Sequence, residues 1–273
     1  RMIIIDSNIN SSIKSIQRIK NILNNHNYIN TNKDILFEKG DVRNAEFLDY
    51  VFLKAQKNNY SINGVIHFAG LKAVEESVNN PLMYWDFNVN GSIQLLKVMN
   101  KFSCRTIVFS SSATIYDSKV INPIAENSNI LPSNPYGDTK ATIENILNGV
   151  FKSSKESWRV ANLRYFNPIG AHPSGLIGED PLEKPNNIFP LICKVARGYY
   201  EKICIYGDDW PTVDGTGIRD YVHVMDLAQA HCLALDYLLI NKPKIINLNI
   251  GTGIGTSVLQ LIKTFELVNK CNV

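Results

Sequence analysis

The sequence predicts an α/β fold, a Rossmann-like doubly wound parallel sheet with a smaller α/β substrate-binding portion. Short β-branched runs alternate with helical stretches through the first 165 residues, as crossover connections between parallel strands require. Past Asn167 the texture changes to Gly, Pro and His turns with short elements between them. The 273 residues, 45% hydrophobic and 19% charged, suit one or two soluble domains that bury a core without covalent staples.

Met2–Ile5 reads as a strand ending at the acid Asp6, and Ser12–Leu23 as a helix. Residues 24–34 form a polar, low-complexity connection, followed by a strand at Ile35–Glu38. A helix then runs from beyond Asp41-Val42-Arg43 through Gln56. Gly64–Phe68 is the third strand, and a long helical segment covers Pro81 to Phe102. Thr106–Ser110 is the fourth strand, Tyr136–Phe151 a helix and Arg159–Leu163 the fifth strand. This places a sheet domain at 1–166 and a substrate-binding portion, interleaved with it, at 167–273.

Bulk properties exclude several functions. A net charge of +3, without a basic cluster interleaved with aromatics, gives no nucleic-acid footprint. Five cysteines, with no C-x-x-C pair, fit a reducing compartment such as the cytoplasm rather than a disulfide framework. No apolar run approaches a membrane span, and no signal peptide is expected. His67, His172, His223 and His231 show no metal-ligand grouping, so no metal is expected.

Tyr136-Gly-Asp-Thr-Lys140, with Ser110-Ser111-Ser112 upstream, carries the chemistry. Residues four apart lie one above the other on a helix face. A tyrosine hydroxyl, with a reference pKa near ~10, is a poor base at neutral pH, and an adjacent ammonium favours its phenolate. A serine hydroxyl at a nearby strand end then holds the substrate hydroxyl whose proton is taken. The Y-x-x-x-K pattern alone is loose and also describes a surface aromatic beside a solvated lysine. Asp6, an acid ending a strand, suits a site for NAD, where a carboxylate accepts ribose hydroxyls. The glycine-rich run Gly251-Thr-Gly253-Ile-Gly255 follows a strand, but its spacing is wrong for a dinucleotide fingerprint and it reads as a structural turn.

The strings Val65–Ser77, Arg164–Gly175, Gly178–Pro181, Pro185–Pro190 and Asp214–Val224, in that order around the Tyr/Lys pair, closely resemble the UDP-glucose 4-epimerases. These form a branch of the extended short-chain dehydrogenase/reductase family, and the resemblance runs from Ile3 to about Phe265. It implies an isomerase interconverting UDP-glucose and UDP-galactose at C4 through a 4-keto sugar, in galactose metabolism, with NAD tightly bound. Ser112, Tyr136 and Lys140 are its expected catalytic residues, Tyr136 as phenolate taking the 4-hydroxyl proton and Lys140 depressing its pKa.

On the cofactor side the resemblance implies Asp6, Ser7, Asn10 and Ser11 along the adenosine, with Asp41 and Val42 flanking the adenine. Phe68, Ala69, Gly70 and Leu71 make a close backbone turn beside the pyrophosphate, with Lys72 beginning the next helix. Asn88 braces the catalytic strand, while Ser110, Tyr165 and Phe166 line the nicotinamide side. Substrate contacts are implied at Lys72, Ala113, Thr114 and Asn167 for the sugar, and at Asn186, Asn187 and Ile188 for the diphosphate. Cys204, Ile205 and Tyr206 edge the uracil, and Arg219 pairs with phosphate oxygens. A homodimer is implied through helices 81–102 and 136–151. Two departures stand out: the first βα unit with its G-x-x-G-x-x-G turn is missing, and so is the later Arg-x-Gly-Asp segment. The alternatives are another extended reductase acting on nucleotide sugars, or an inactive truncated homologue serving as a dimerisation partner.

Overall fold

The computed structural model describes residues 1–25, 31–154, 157–180, 185 and 187–273. They form two compact units, one of residues 1–165 and 228–249, the other of 166–227 and 250–273. The expected division at 166/167 is corrected at one segment. Residues 228–249 return to the first unit, because their strand, Lys244–Ile250, lies beside Arg159–Tyr165 in its sheet.

In the first unit β1 (Met2–Asp6) pairs in parallel with β2 (Ile35–Lys39), joined by α1 (Ile13–Asn25) and the single turn α2 (Thr31–Asp34). The expected 24–34 connection therefore ends in a helical turn, and its residues 26–30 lie outside the described residues. Helix α3 (Ala45–Lys57) starts where the Asn44 side chain accepts from the Phe47 amide, 3.0 Å away. Its buried Leu48, Val51, Phe52 and Ala55 follow the helical period.

Next come β3 (Val65–His67), α4 (Val74–Asn79), α5 (Pro81–Tyr84), a π-helical stretch at Trp85–Asn90 and α6 (Gly91–Lys101). Lys72 thus precedes its helix instead of beginning it. Strand β4 (Thr106–Ser112), buried along its whole length, lies between β3 and β5 (Arg159–Tyr165), parallel to both. That burial fits a central parallel strand covered on both faces. Helix α7 (Pro135–Ser153) has Pro at its first position, and the Asn134 side chain accepts from the Gly137 amide at 2.9 Å. The core joins Leu48 and Phe52 of α3, Leu95 and Met99 of α6, Ile107 and Phe109 of β4, Leu147 of α7, and Trp158.

The sheet is not continuous. Among the described residues β1–β2 forms one ladder, and β3–β4–β5, extended by the strand Lys244–Ile250, forms another.

In the second unit β6 (Asn167–Ile169) pairs in parallel with β7 (Ile218–His223). Between them runs α8 (Ile188–Ala196). Helix α9 (Val224–Ile240) starts in this unit and passes into the first, as β8 (Lys244–Ile250) leads back. Strand β9 (Gly255–Ser257) is antiparallel to β7 and enters α10 (Val258–Asn269) through a capping box of Ser257 and Gln260. Ile192, Leu261 and Ile262 centre this unit's core, with Ile188, Phe189, Val258 and Phe265 around them. No helix among the described residues is long and apolar enough to cross a membrane.

Candidate active site

Strand β4 and helix α7 bring Ser112, Tyr136 and Lys140 together inside the first unit. Tyr136 and Lys140 are each only 4% exposed. The Ser112 Oγ accepts from the Thr114 amide at 3.2 Å and the Thr114 hydroxyl at 2.9 Å. A serine hydroxyl has two lone pairs and one proton, so with both lone pairs engaged the Ser112 proton is left to donate. Ser112 and Tyr165 both lie close enough to the Tyr136 hydroxyl to influence its pKa, Ser112 downward and Tyr165 upward. Lys140 Nζ donates to the Ser110 carbonyl at 2.8 Å, and it lies 5.7 Å from the Tyr136 ring centroid and 4.9 Å from that of Phe109.

The electrostatics correct one expectation. Burial pushes the Tyr136 hydroxyl well above its ordinary value, with Tyr165 adding to the rise and Ser112 opposing it. Burial likewise pulls Lys140 down to about 8. Desolvation dominates at both groups, so the tyrosine is a neutral phenol rather than a ready phenolate. An arriving positive charge would favour the phenolate again. His67, buried behind the site, is pulled down to about 3 by burial and by the Lys140 charge, and its Nε2 meets the Ser92 hydroxyl at 2.9 Å.

Asn88 does not brace the catalytic strand as expected. Its Oδ1 accepts from the Leu71 amide at 2.7 Å, and its Nδ2 donates to the Leu71 carbonyl (3.1 Å) and Thr139 Oγ1 (3.0 Å). Thr139 in turn donates to the Tyr136 carbonyl at 2.7 Å, so the turn after β3 is tied to the catalytic helix. Gly70 in that turn has φ +155°, and a Cβ there would stand 2.8 Å from Asn88 Oδ1. The π-helical winding at Trp85–Asn90 carries Asn88 into the interior, a geometry common at functional positions.

At the C-terminal end of β1 the Asp6 Oδ1 accepts from the Asn8 amide (2.7 Å) and Ser11 Oγ (2.8 Å). Asp41 is held below the usual carboxylate range by the Arg43 guanidinium, which also bonds Asp86 at 2.5 Å and lies 3.6 Å from the Phe87 ring centroid. Arg43 was not expected at this position, although its Asp-x-Arg spacing was visible in the sequence.

Residues 14–251 match the model of the NAD dependent epimerase/dehydratase family. The chain belongs to that family. A UDP-glucose 4-epimerase of Bacillus subtilis (strain 168) is 45% identical over 98% of this chain and 75% of its own. UDP-glucose 4-epimerase 2 of Oryza sativa subsp. japonica is 43% identical over 97% of this chain, which spans 63% of that relative's length. The solved structure of UDP-glucose 4-epimerase from Bifidobacterium longum, in complex with NAD+ and UDP, superposes with a TM-score of 0.90. It is 43% identical, with 99% of this chain and 76% of that one covered.

Local geometry of this epimerase/dehydratase chain fits a dinucleotide. The exposed turn at Phe68-Ala69-Gly70 follows β3, and Asp6 stands at a parallel-strand end where ribose hydroxyls are received. The other glycine-rich turn does not serve as a phosphate cradle. In the second unit the Asp220 carboxylate accepts from the Thr252 amide (2.9 Å), Thr252 Oγ1 (2.7 Å) and the Gly253 amide (2.8 Å).

The substrate-side residues of the second unit are found as follows. Asn187 stands at the N-cap of α8, but its side chain donates to Glu179 at 2.6 Å instead of capping. Asn186 lies outside the described residues. Cys204, Ile205 and Tyr206 are exposed, Tyr206 to 91%, and belong to no strand. Arg219 is exposed on β7, with Nη1 on the Ile218 carbonyl at 2.9 Å. No group of acids, cysteines and histidines that could hold a metal occurs among the described residues.

Proposed function

We propose that this chain interconverts UDP-glucose and UDP-galactose at C4 through a transient 4-keto sugar, as an NAD-dependent isomerase of the cytoplasm. The observation that carries the reading is the buried trio Ser112, Tyr136 and Lys140 on β4 and α7, in a chain nearly half identical to relatives named for that reaction. Tyr136 takes the proton of the 4-hydroxyl as general base and returns it to the 4-keto oxygen. Ser112, its lone pairs filled by Thr114, donates to the oxygen that Tyr136 is deprotonating, and Lys140 supplies positive charge beside the ring. NAD, when bound, supplies the acceptor for the C4 hydride and the positive charge that favours the phenolate.

On this reading Asp6, Ser7, Asn10, Ser11, Asp41 and Val42 hold the adenosine side. Phe68 to Lys72 and Ser110 hold the pyrophosphate and nicotinamide side with Tyr165 and Phe166, and Asn88 sets the turn. Ala113, Thr114 and Asn167 meet the sugar, Asn186 to Ile188 the diphosphate, Cys204 to Tyr206 the uracil and Arg219 the phosphates. Residues 113 and 114 offer no acid, which disfavours elimination of water from the ketosugar. The five cysteines, all free, support a reducing compartment. A homodimer through helices 81–102 and 136–151 is part of the same reading.

The test is conversion of UDP-galactose to UDP-glucose by purified protein with no added cofactor. An intact, NAD-loaded protein that leaves both sugars unchanged refutes the proposal. Stoichiometric release of NADH would instead assign it to another class of nucleotide-sugar reductase.

A further inference from the structure

We infer that Glu144 and Arg164 are positioning residues for the reaction proposed above: their buried ion pair sets where α7 sits along β4. It thereby sets the approach of Tyr136 to Ser112 and of Lys140 to Ser110. The inference rests on that functional reading, and its test separates the two.

Tyr136, Lys140 and Glu144 follow one another at intervals of four on α7 and therefore share a face. That face meets three consecutive residues of β4. Tyr136 faces Ser112, Lys140 holds the Ser110 carbonyl, and Glu144 Oε1 accepts from Ser111 Oγ at 2.5 Å. Arg164 stands opposite Ser111 in the β4–β5 register. Its Nε donates to Glu144 Oε1 at 3.0 Å and its Nη2 to Oε2 at 2.7 Å, a two-pronged fork on the carboxylate. The remaining Nη1 donates to the Tyr116 hydroxyl (2.9 Å) and the Glu126 carbonyl (2.8 Å). Tyr116 closes the short turn that Ser112 caps. One guanidinium and one carboxylate thus grip the catalytic helix, both central strands and the segment after the catalytic serine.

Stability alone gives no reason for this arrangement. The two side chains are 2% and 4% exposed, and apolar residues of similar volume hold a core as well as a buried ion pair or better. Apolar packing lets a helix shift along a strand, whereas forked, directional bonds allow one register. A misplacement of about 1 Å between reacting groups costs on the order of 10²-fold in rate.

The test uses the intact NAD-loaded protein and the double variant Glu144→Leu/Arg164→Leu. We expect it to fold with a lowered melting temperature, since Ser111 Oγ and the Glu126 carbonyl lose their partners, to keep KM for UDP-galactose within about twofold and to lose kcat by roughly 10- to 100-fold. A second readout does not depend on turnover: 13C NMR of ζ-labelled tyrosine should show Tyr136 titrating at higher pH, with the downward influence of Ser112 weakened. An unchanged kcat per bound NAD together with an unchanged Tyr136 titration, in a folded double variant, overturns the inference. If the double variant does not fold, Arg164→Lys, which keeps the charge and loses the fork, is held to the same two readouts. A wild-type protein without epimerase activity refutes the functional reading, while the Tyr136 titration still decides the positioning role.

Discussion

Lys140 buries its ammonium against the Ser110 carbonyl, 2.8 Å away, one helical turn beyond Tyr136. Burial places its pKa at about 8, below the ordinary 10.5. Below pH 8 the lysine is charged in both the folded and unfolded chain, and the folded state carries the full desolvation cost. Between pH 8 and 10.5 the unfolded chain binds the proton that the folded one has released, so stability rises with pH. The swing is on the order of 3 kcal/mol, at ~1.36 kcal/mol per unit. Lys140→Met should be more stable than wild type below pH 8, with the gap closing toward pH 10 in urea titrations. A gap that does not change with pH would count against the buried charge.

Each hydroxyl of the trio should matter for turnover, with different consequences for stability. Tyr136→Phe should lower kcat by about 10²–10⁴ with little change in melting temperature, since the ring and its packing remain. Ser112→Ala should lower kcat and also cost about 1 kcal/mol, because the Thr114 amide loses the acceptor that caps its turn. Steady-state assays beside thermal melts check both, and a Tyr136→Phe protein with wild-type turnover removes the tyrosine from the chemistry.

The turn after β3 should tolerate no side chain at Gly70. A Cβ at φ +155° meets Asn88 Oδ1 at 2.8 Å, so Gly70→Ala should cost about 1–3 kcal/mol and reduce the NAD retained through gel filtration. Asn88→Leu strands the Leu71 amide and should act in the same direction. An alanine variant as stable as wild type, with undiminished NAD content, would contradict the crowding at this turn.

Much of the site was legible because local rules govern it. Asn134-Pro135 announces the start of α7, and the interval between Tyr136 and Lys140 then fixes their shared face. The run Thr106–Ser110 was legible as the fourth strand, although it continues two residues further, to the serine that matters. Glu144 was invisible as anything but a helix residue, since its partners, Ser111 and Arg164, lie on two different strands. The raised Tyr136 pKa was also out of reach. Whether a neighbouring ammonium or burial wins depends on how much water the fold removes, and no sequence spacing records that. Residues 228–249 were misplaced for a similar reason, because a strand's ladder partner is a long-range choice.

Asp220 offers a test in the second unit. Its carboxylate satisfies the amides of Thr252 and Gly253 and the Thr252 hydroxyl, so Asp220→Ala should cost about 1–3 kcal/mol. Those two amides should then exchange hydrogen faster than in wild type. Unaltered exchange at both would show that the carboxylate is dispensable to the turn.

The same contact has a wider bearing on how glycine-rich loops are judged. A loop of this kind is an anion receptor in form, yet here its guest is covalently attached and held at high effective concentration. A phosphate from solution would have to evict a tethered competitor before it could bind. The glycines at 251 and 253 therefore mark a lock between two stretches of the chain, and a search for nucleotide pockets guided by glycine content alone would stop at the wrong loop.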